Sequence, residues 1–276
     1  MNQTAALLML ASGALHAMVN AVLKSGGDKM SSRALIDGTS ALMVLPLAFV
    51  APLPHGAWGW LAASTLTHLA YLICLVKAFE MADMSAIYPV MRGSAPVIAA
   101  SVAVLAFAEP ISWAVVAGIA LVSLGTMAVA WWHSPGPRAL AWALATGMTI
   151  ALYTVIDAQG VRAAPSAFSY FVWVFLALGG GIALIFALWR GPTFLLTARA
   201  QWKPGLAAGV MSLLTYGIAL LAYRLGDVPR LAALRETSIL FGVAIAAFVL
   251  KERVGPARLL GAGMIGAGAA VLVALR

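Results

Sequence analysis

Charge is what this chain has least of. Its 276 residues hold 17 Lys and Arg against 9 Asp and Glu, 9% of the whole, where a soluble domain carries about 25%. With 63% of residues hydrophobic, so few ionised groups cannot cover a folded surface in water, which excludes a soluble enzyme, a nucleic-acid binder and a disordered chain. The excess of basic residues therefore reads as cytoplasmic loops beside lipid rather than a nucleic-acid surface. Cysteine is almost missing. The lone Cys74 permits no internal disulfide and is silent on redox compartment. Period-two alternation is also missing, which argues against a membrane β-barrel. No metal-ligand cluster, nucleophile–base set or phosphate loop occurs, so neither an enzyme nor a bound cofactor is expected. The run Gly261-Ala262-Gly263-Met264-Ile265-Gly266 matches a dinucleotide fingerprint only in letters, because no strand precedes it. The first apolar run lacks a basic leader and a small-residue cleavage pattern, and reads as a retained span.

What the chain has is apolar length. Runs near the roughly 20 residues that cross about 30 Å of hydrocarbon fall at 4–23, 33–52, 58–79, 87–108, 111–132, 138–157, 167–189, 204–223, 230–250 and 256–275. They predict an all-α membrane protein of ten transmembrane helices with short connections. Trp58, Trp60, Trp113, Trp131, Trp132, Trp142, Trp189 and Trp202 lie near the ends of these runs, where interfacial indoles collect, and Trp173 alone reads as mid-span.

The sequence also repeats. Arg92, Glu109, Gly118 and Gly125 recur 143 positions later as Arg235, Glu252, Gly261 and Gly268. Each copy holds five spans, and an odd number of crossings turns the second copy over, so a five-plus-five inverted repeat is expected. The first repeat is residues 1–132, the linker 133–138 and the second repeat 139–276. Small residues Ala262, Gly266 and Ala270, with Gly118 and Gly125, predict close packing between the last helices of the two copies.

Intramembrane polar residues mark a path or a partner. His16 and Asn20 share one face of span one with Ser12, and Thr149, Tyr153 and Asp157 stand at matching register in span six. His68 and Tyr71 in span three and Tyr216 in span eight are similar. All suit either a cavity lining or interhelical hydrogen bonds. His16 and His68 are the candidates for a coupling proton. Arg92 and Arg235 sit about five residues into their helices at equivalent register, suited to substrate contact, gating or snorkelling. Glu236 follows Arg235 at about 100° around the helix and needs a different partner. Asp37 is expected to pair with Arg33 at the membrane edge.

Four segments carry a resemblance: Leu15-His16-Ala17-Met18-Val19-Asn20 with Lys24; Tyr88-Pro89-Val90-Met91-Arg92-Gly93-Ser94-Ala95-Pro96; Leu234-Arg235-Glu236-Thr237-Ser238; and Leu250-Lys251-Glu252-Arg253. Over its whole length the chain resembles the EamA-type proteins of the drug/metabolite transporter superfamily, and its first and ninth spans look like a phosphonate-utilisation-associated subgroup. Small four-span relatives couple cation export to a first-helix glutamate, where His16 stands here. The resemblance implies a secondary transporter in a bacterial inner membrane, and it adds Tyr88 and Ser238 to the candidate site. A few cations against fewer acids tilt the substrate toward a small anionic or zwitterionic metabolite, such as an amino acid or organophosphonate. A flippase for an amphipathic molecule and a scaffold are the other readings; proton coupling and a homodimer stay open.

Two further expectations concern topology. Lys24, Lys29, Arg33, Lys77, Arg138, Arg190, Arg199, Lys203, Lys251, Arg253 and Arg258 border the loops after odd-numbered spans, against Arg162, Arg224, Arg230 and Arg276 on the other side. The positive-inside rule then puts both termini outside the cytoplasm, whereas the resemblance to ten-span relatives implies termini inside. Arg92 should share a membrane level with Glu252, and Arg235 with Glu109, either as paired latches or with both glutamates simply facing interfacial water.

Overall fold

The computed structural model describes residues 2–23, 29–129, 135–191, 196, 198–249, 251 and 254–274, with side chains throughout these except at 19–23, 29–33, 186 and 190. Every regular element among them is helical. In chain order these include α1 (Gln3–Leu23), α2 (Lys29–Val44) continued by a 3-10 turn Leu45–Phe49, α3 (Trp58–Met81), α4 (Met84–Phe107), α5 (Trp113–Ala128), α6 (Pro137–Ala163), α7 (Ala167–Arg190), α8 (Trp202–Leu225), α9 (Val228–Arg235), α10 (Thr237–Ala244) and α11 (Pro256–Ala274). Local chemistry sets several starts. Ser112 and Ser166 accept hydrogen bonds from the first-turn amides of Val115 and Ser169, and Pro137 and Pro229 occupy first turns, where no backbone donor is needed.

Seven helical segments are long and apolar enough to cross a membrane: α3, α4, α6, α7, α8, α11 and the composite Val228–Val249. The apolar stretches Gln3–Met18, Ala34–Phe49 and Trp113–Ala128 are shorter. Outward faces are apolar, with Phe49 and Trp113 both 88% exposed and Leu105 86%. A surface like that suits hydrocarbon, not water.

Two helix boundaries differ from expectation. α6 runs on past Asp157 to Ala163, because its two late charges are satisfied by protein and do not mark a membrane edge. The ninth run is broken: Glu236 ends α9 and Thr237 starts α10. Across the break the Glu236 N–H reaches the Ala233 carbonyl, the Ile239 N–H reaches Glu236, and the Thr237 hydroxyl donates to the Leu234 carbonyl at 2.7 Å. Such tight three-residue bonds inside a long helix commonly mark a functional joint.

α1 packs on α8, α3 on α6, α2 on α7 and α5 on α11. The α5–α11 crossing is closest. A Cβ at Gly118 would lie 3.3 Å from the Gly268 carbonyl oxygen and 2.8 Å from the Leu272 side chain. A Cβ at Gly268 would lie 2.7 Å from the Gly118 carbonyl; Gly125 and Gly261 oppose each other the same way, at 2.8 and 2.6 Å. The contact therefore uses a seven-residue glycine spacing, not the expected Ala262, Gly266, Ala270 stripe, since Gly266 faces open space and Ala270 is exposed. Trp58, Trp113 and Trp202 open helices, as expected. Trp173, expected mid-span, lies in the second turn of α7, stacks edge-on against Trp58 at 5.8 Å and donates to the Pro52 carbonyl at 3.1 Å. Trp131, Trp132 and residues 133–134 of the 133–138 linker lie outside the described residues.

Candidate functional site

Eight helical elements, all but α5, α10 and α11, converge on one cavity of about 200 Å³. His16 reaches it from α1, His68 and Tyr71 from α3, Tyr88 and Arg92 from α4, Tyr153 from α6, Tyr216 from α8 and Arg235 from α9. Eight residues chosen from the sequence thus meet in one place. Asn20 lies outside the described side chains.

The remaining three sit behind the lining. Glu236 and Ser238, both buried, face Arg92: its Nε is 3.0 Å from Glu236 Oε2, and its Nη2 donates to Ser238 Oγ at 3.4 Å. Glu236 thus finds the separate partner its helix geometry requires. Asp157 is fully buried and accepts hydrogen bonds from the hydroxyls of Tyr170, at 2.8 Å, and Tyr216. Ser12 is a packing residue, donating to the Thr215 carbonyl at 2.7 Å. Thr149 donates to the Thr146 carbonyl of its own helix.

The two arginines are not equivalent. Arg92 has Glu236. Arg235 is 8% exposed, its guanidinium stands 5.4 Å from the centre of the Tyr216 ring, and its Nε has no hydrogen-bond partner. Among the described residues no carboxylate forms an ion pair with it. Glu236 borders the same small void but is engaged by Arg92, so one carboxylate faces two buried cations and Arg235 keeps a costly excess of positive charge. An anion arriving in the cavity would relieve that cost.

Beside Arg235 the cavity has an aromatic wall. His68 stacks on Tyr153 at 4.1 Å, Tyr71 meets Tyr153 edge-on at 5.7 Å, and Tyr216 is edge-on to both His68 and Phe175. His68 Nδ1 lies 2.9 Å from the Ser64 carbonyl oxygen, which can only accept, so Nδ1 carries a proton and Nε2 is the neutral ring's acceptor. Of the lining groups that escaped sequence reasoning, two show why. Asp37, expected at the membrane edge with Arg33, is buried and lines the cavity, while Arg33 lies outside the described side chains. Phe175 carries no polar signal that distinguishes it from lipid-facing neighbours.

A second cluster joins three helix connections. From the last turn of α6, Arg162 donates to Glu109 Oε1 at 2.5 Å, to the Tyr223 carbonyl at 2.9 Å and to the Gly226 carbonyl at 2.5 Å. The second oxygen of Glu109 accepts from the Val228 N–H at 2.7 Å, and Arg224 donates to the Val161 and Ala164 carbonyls. The expected latch between Arg235 and Glu109 is therefore replaced: Glu109 is held by Arg162. The other expected partner, Glu252, lies outside the described residues.

The EamA-like transporter family matches residues 137–274. A solved crystal structure, one of 28 matching chains, shares the fold with a TM-score of 0.72 at 16% identity, covering 97% of this chain and 94% of the other. No curated protein matches. That family is one of transporters, and with the apolar spans and the central cavity it fixes what kind of molecule this is: the chain is an integral, multi-pass membrane protein belonging to the EamA-like transporter family.

Proposed function

We propose that the protein is a secondary transporter that binds a small anionic or zwitterionic metabolite in the central cavity and moves it by alternating access, with Arg235 as the anion's anchor. The observation carrying this reading is the buried Arg235 guanidinium, which lines the cavity and, among the described residues, forms no ion pair with a carboxylate. The cavity, about 200 Å³, falls below the roughly 300 Å³ at which drug-sized pockets begin. Its size favours a metabolite over the amphipathic cargo of a flippase.

All ten runs cross the membrane in this reading, as two inverted repeats at residues 1–132 and 139–276. The glycine crossing supports it. Gly118 opposes Gly268 while Gly125 opposes Gly261, and under the 143-residue offset those two contacts exchange, the reciprocal pattern of a two-fold contact. The cavity's residues on α1, α2 and α4 fall toward the connections that follow odd-numbered spans, and the Arg162–Glu109 clasp ties the opposite connections together. The protein then stands closed on the clasp side, and the positive-inside count makes the other side cytoplasmic. Proton coupling and a place in the bacterial inner membrane belong to the same proposal.

A thermal-shift screen of purified protein against carboxylates, sulfonates, phosphonates, amino acids and quaternary amines tests it, because ligands of the folded state raise its apparent stability. Stabilisation by anions or zwitterions is expected. Stabilisation by quaternary amines alone would overturn the anion reading.

A further inference from the structure

The anion anchor leaves two buried acids at the cavity unexplained, Asp37 in the lining and, behind it, Asp157. Asp157 is fully buried amid the apolar core and, among the described residues, forms no ion pair. Both its oxygens are held by neutral donors, the Tyr170 hydroxyl from α7 and the Tyr216 hydroxyl from α8. Tyr216 also lines the cavity and lies under the Arg235 guanidinium. One tyrosine therefore touches both groups, its hydroxyl on the buried carboxylate and its ring beneath the anion anchor.

The other ionisable groups on elements packed against α6 are committed elsewhere. From α3, His68 bonds Ser64 and stacks on Tyr153, and Tyr71 meets Tyr153. From α4, Tyr88 lines the cavity and Arg92 faces Glu236. Tyr223 of α8 and Arg235 of α9 border a small void beside Glu236, and Arg162 of α6 itself holds Glu109. Among the described residues, the two tyrosine hydroxyls are the groups that reach the carboxylate.

Resting on the anion reading above, we propose that Asp157 is the proton-binding site of the transport cycle, linked to anion binding through the Tyr216 hydroxyl. An anion at Arg235 draws the Tyr216 O–H toward itself, and Asp157 loses one of its two donors. A carboxylate left with one neutral donor in apolar surroundings binds a proton rather than keep its charge. That proton comes from water in the cavity and ends on Asp157 Oδ2; Tyr216 keeps its own proton and changes only its acceptor. Proton and anion then enter together, and by reciprocity each tightens the binding of the other, by at most about tenfold per pH unit for one linked proton.

The test uses purified full-length protein in lipid nanodiscs and three probes whose anionic group does not titrate between pH 5 and 8: sulfate, methanesulfonate and glycine. Binding is measured across that range for wild type, Asp157→Asn, Tyr216→Phe and His68→Gln, while infrared difference spectra record carboxylic-acid C=O absorption on probe addition. Acidification is expected to tighten binding in wild type and His68→Gln, and to leave Asp157→Asn and Tyr216→Phe unchanged. The spectra should show a probe-induced C=O band that Asp157→Asn lacks. Tyr216→Phe keeps the ring under Arg235, so it separates the hydroxyl's role from folding. Probe binding whose pH dependence survives in Asp157→Asn, or vanishes in His68→Gln, overturns the proton site and leaves the anion anchor standing. Wild-type protein that binds none of the three probes overturns the anchor, and the proton site with it.

Discussion

The Nε of Arg92 lies 3.0 Å from Oε2 of Glu236, with both side chains almost closed to solvent. Under the 143-residue offset the matching pair would be Arg235 with residue 93, and residue 93 is glycine. A Cβ there would lie 2.7 Å from the Met127 side chain and 3.0 Å from the Ser123 carbonyl, so this packing has no room for a glutamate. The two halves present equivalent arginines, and among the described residues only Arg92 is ion-paired with a carboxylate, which leaves Arg235 the better placed of the two to meet an anion.

Removing one member of the buried pair strands the other. Glu236→Ala is expected to destabilise the protein by about 3–5 kcal/mol, the range for breaking a buried ion pair, while Arg92→Leu with Glu236→Leu recovers much of that loss. Thermal unfolding of wild type and both variants in one detergent checks this. A double variant as unstable as Glu236→Ala would contradict it.

The Arg162 clasp should hold one conformation. With Arg162→Gln, the connections after α4, α6 and α8 lose their shared donor, and a cysteine placed at Ser166 in a Cys74→Ala background should react faster with an impermeant maleimide added from that side. An unchanged labelling rate would mean that the clasp is a structural joint and not a gate.

The α5–α11 crossing tolerates no added volume at either end. Gly118→Ala and Gly268→Ala should each cost about 1–3 kcal/mol, the usual overpacking range, and Gly266→Ala, in open space, should cost almost nothing. Equal losses at all three positions would place the tight contact elsewhere.

The loop charges give a topology that reporter fusions can check. Because Arg162 and Arg224 are spent on carbonyls and Glu109, the clasp side has still fewer solvated cations than the sequence suggests. A fusion after Arg276 should report the outside of the cytoplasm. Activity of that fusion only inside would reverse the assigned faces.

Much of the site was legible because polar side chains are rare enough here to stand out. His16, His68, Tyr71, Arg92, Tyr153, Tyr216 and Arg235 could be picked from helical spacing and the repeat, and all seven meet at the cavity. Asp37 lines the cavity, which sequence spacing could not show, since four residues from an arginine suits an edge pair and an inward-turned carboxylate alike, and Arg33 lies outside the described side chains. Span six was cut short at Asp157 for a related reason. A charge in a run looks like a membrane edge unless its partners are known, and Tyr170 and Tyr216 lie 13 and 59 residues further along the chain. The break at Glu236 had no proline or glycine to announce it, since the Thr237 hydroxyl and a three-residue amide bond make it.

The central claim is that Arg235, and not Arg92, anchors the transported anion. Binding of the probe anions to Arg235→Gln and to wild type, with thermal stability measured alongside, tests it most directly. The account predicts affinity at least about tenfold weaker in Arg235→Gln, the loss of one charge-assisted hydrogen bond or more, with stability equal to or above wild type because a costly buried charge has gone. Wild-type affinity in Arg235→Gln would contradict it.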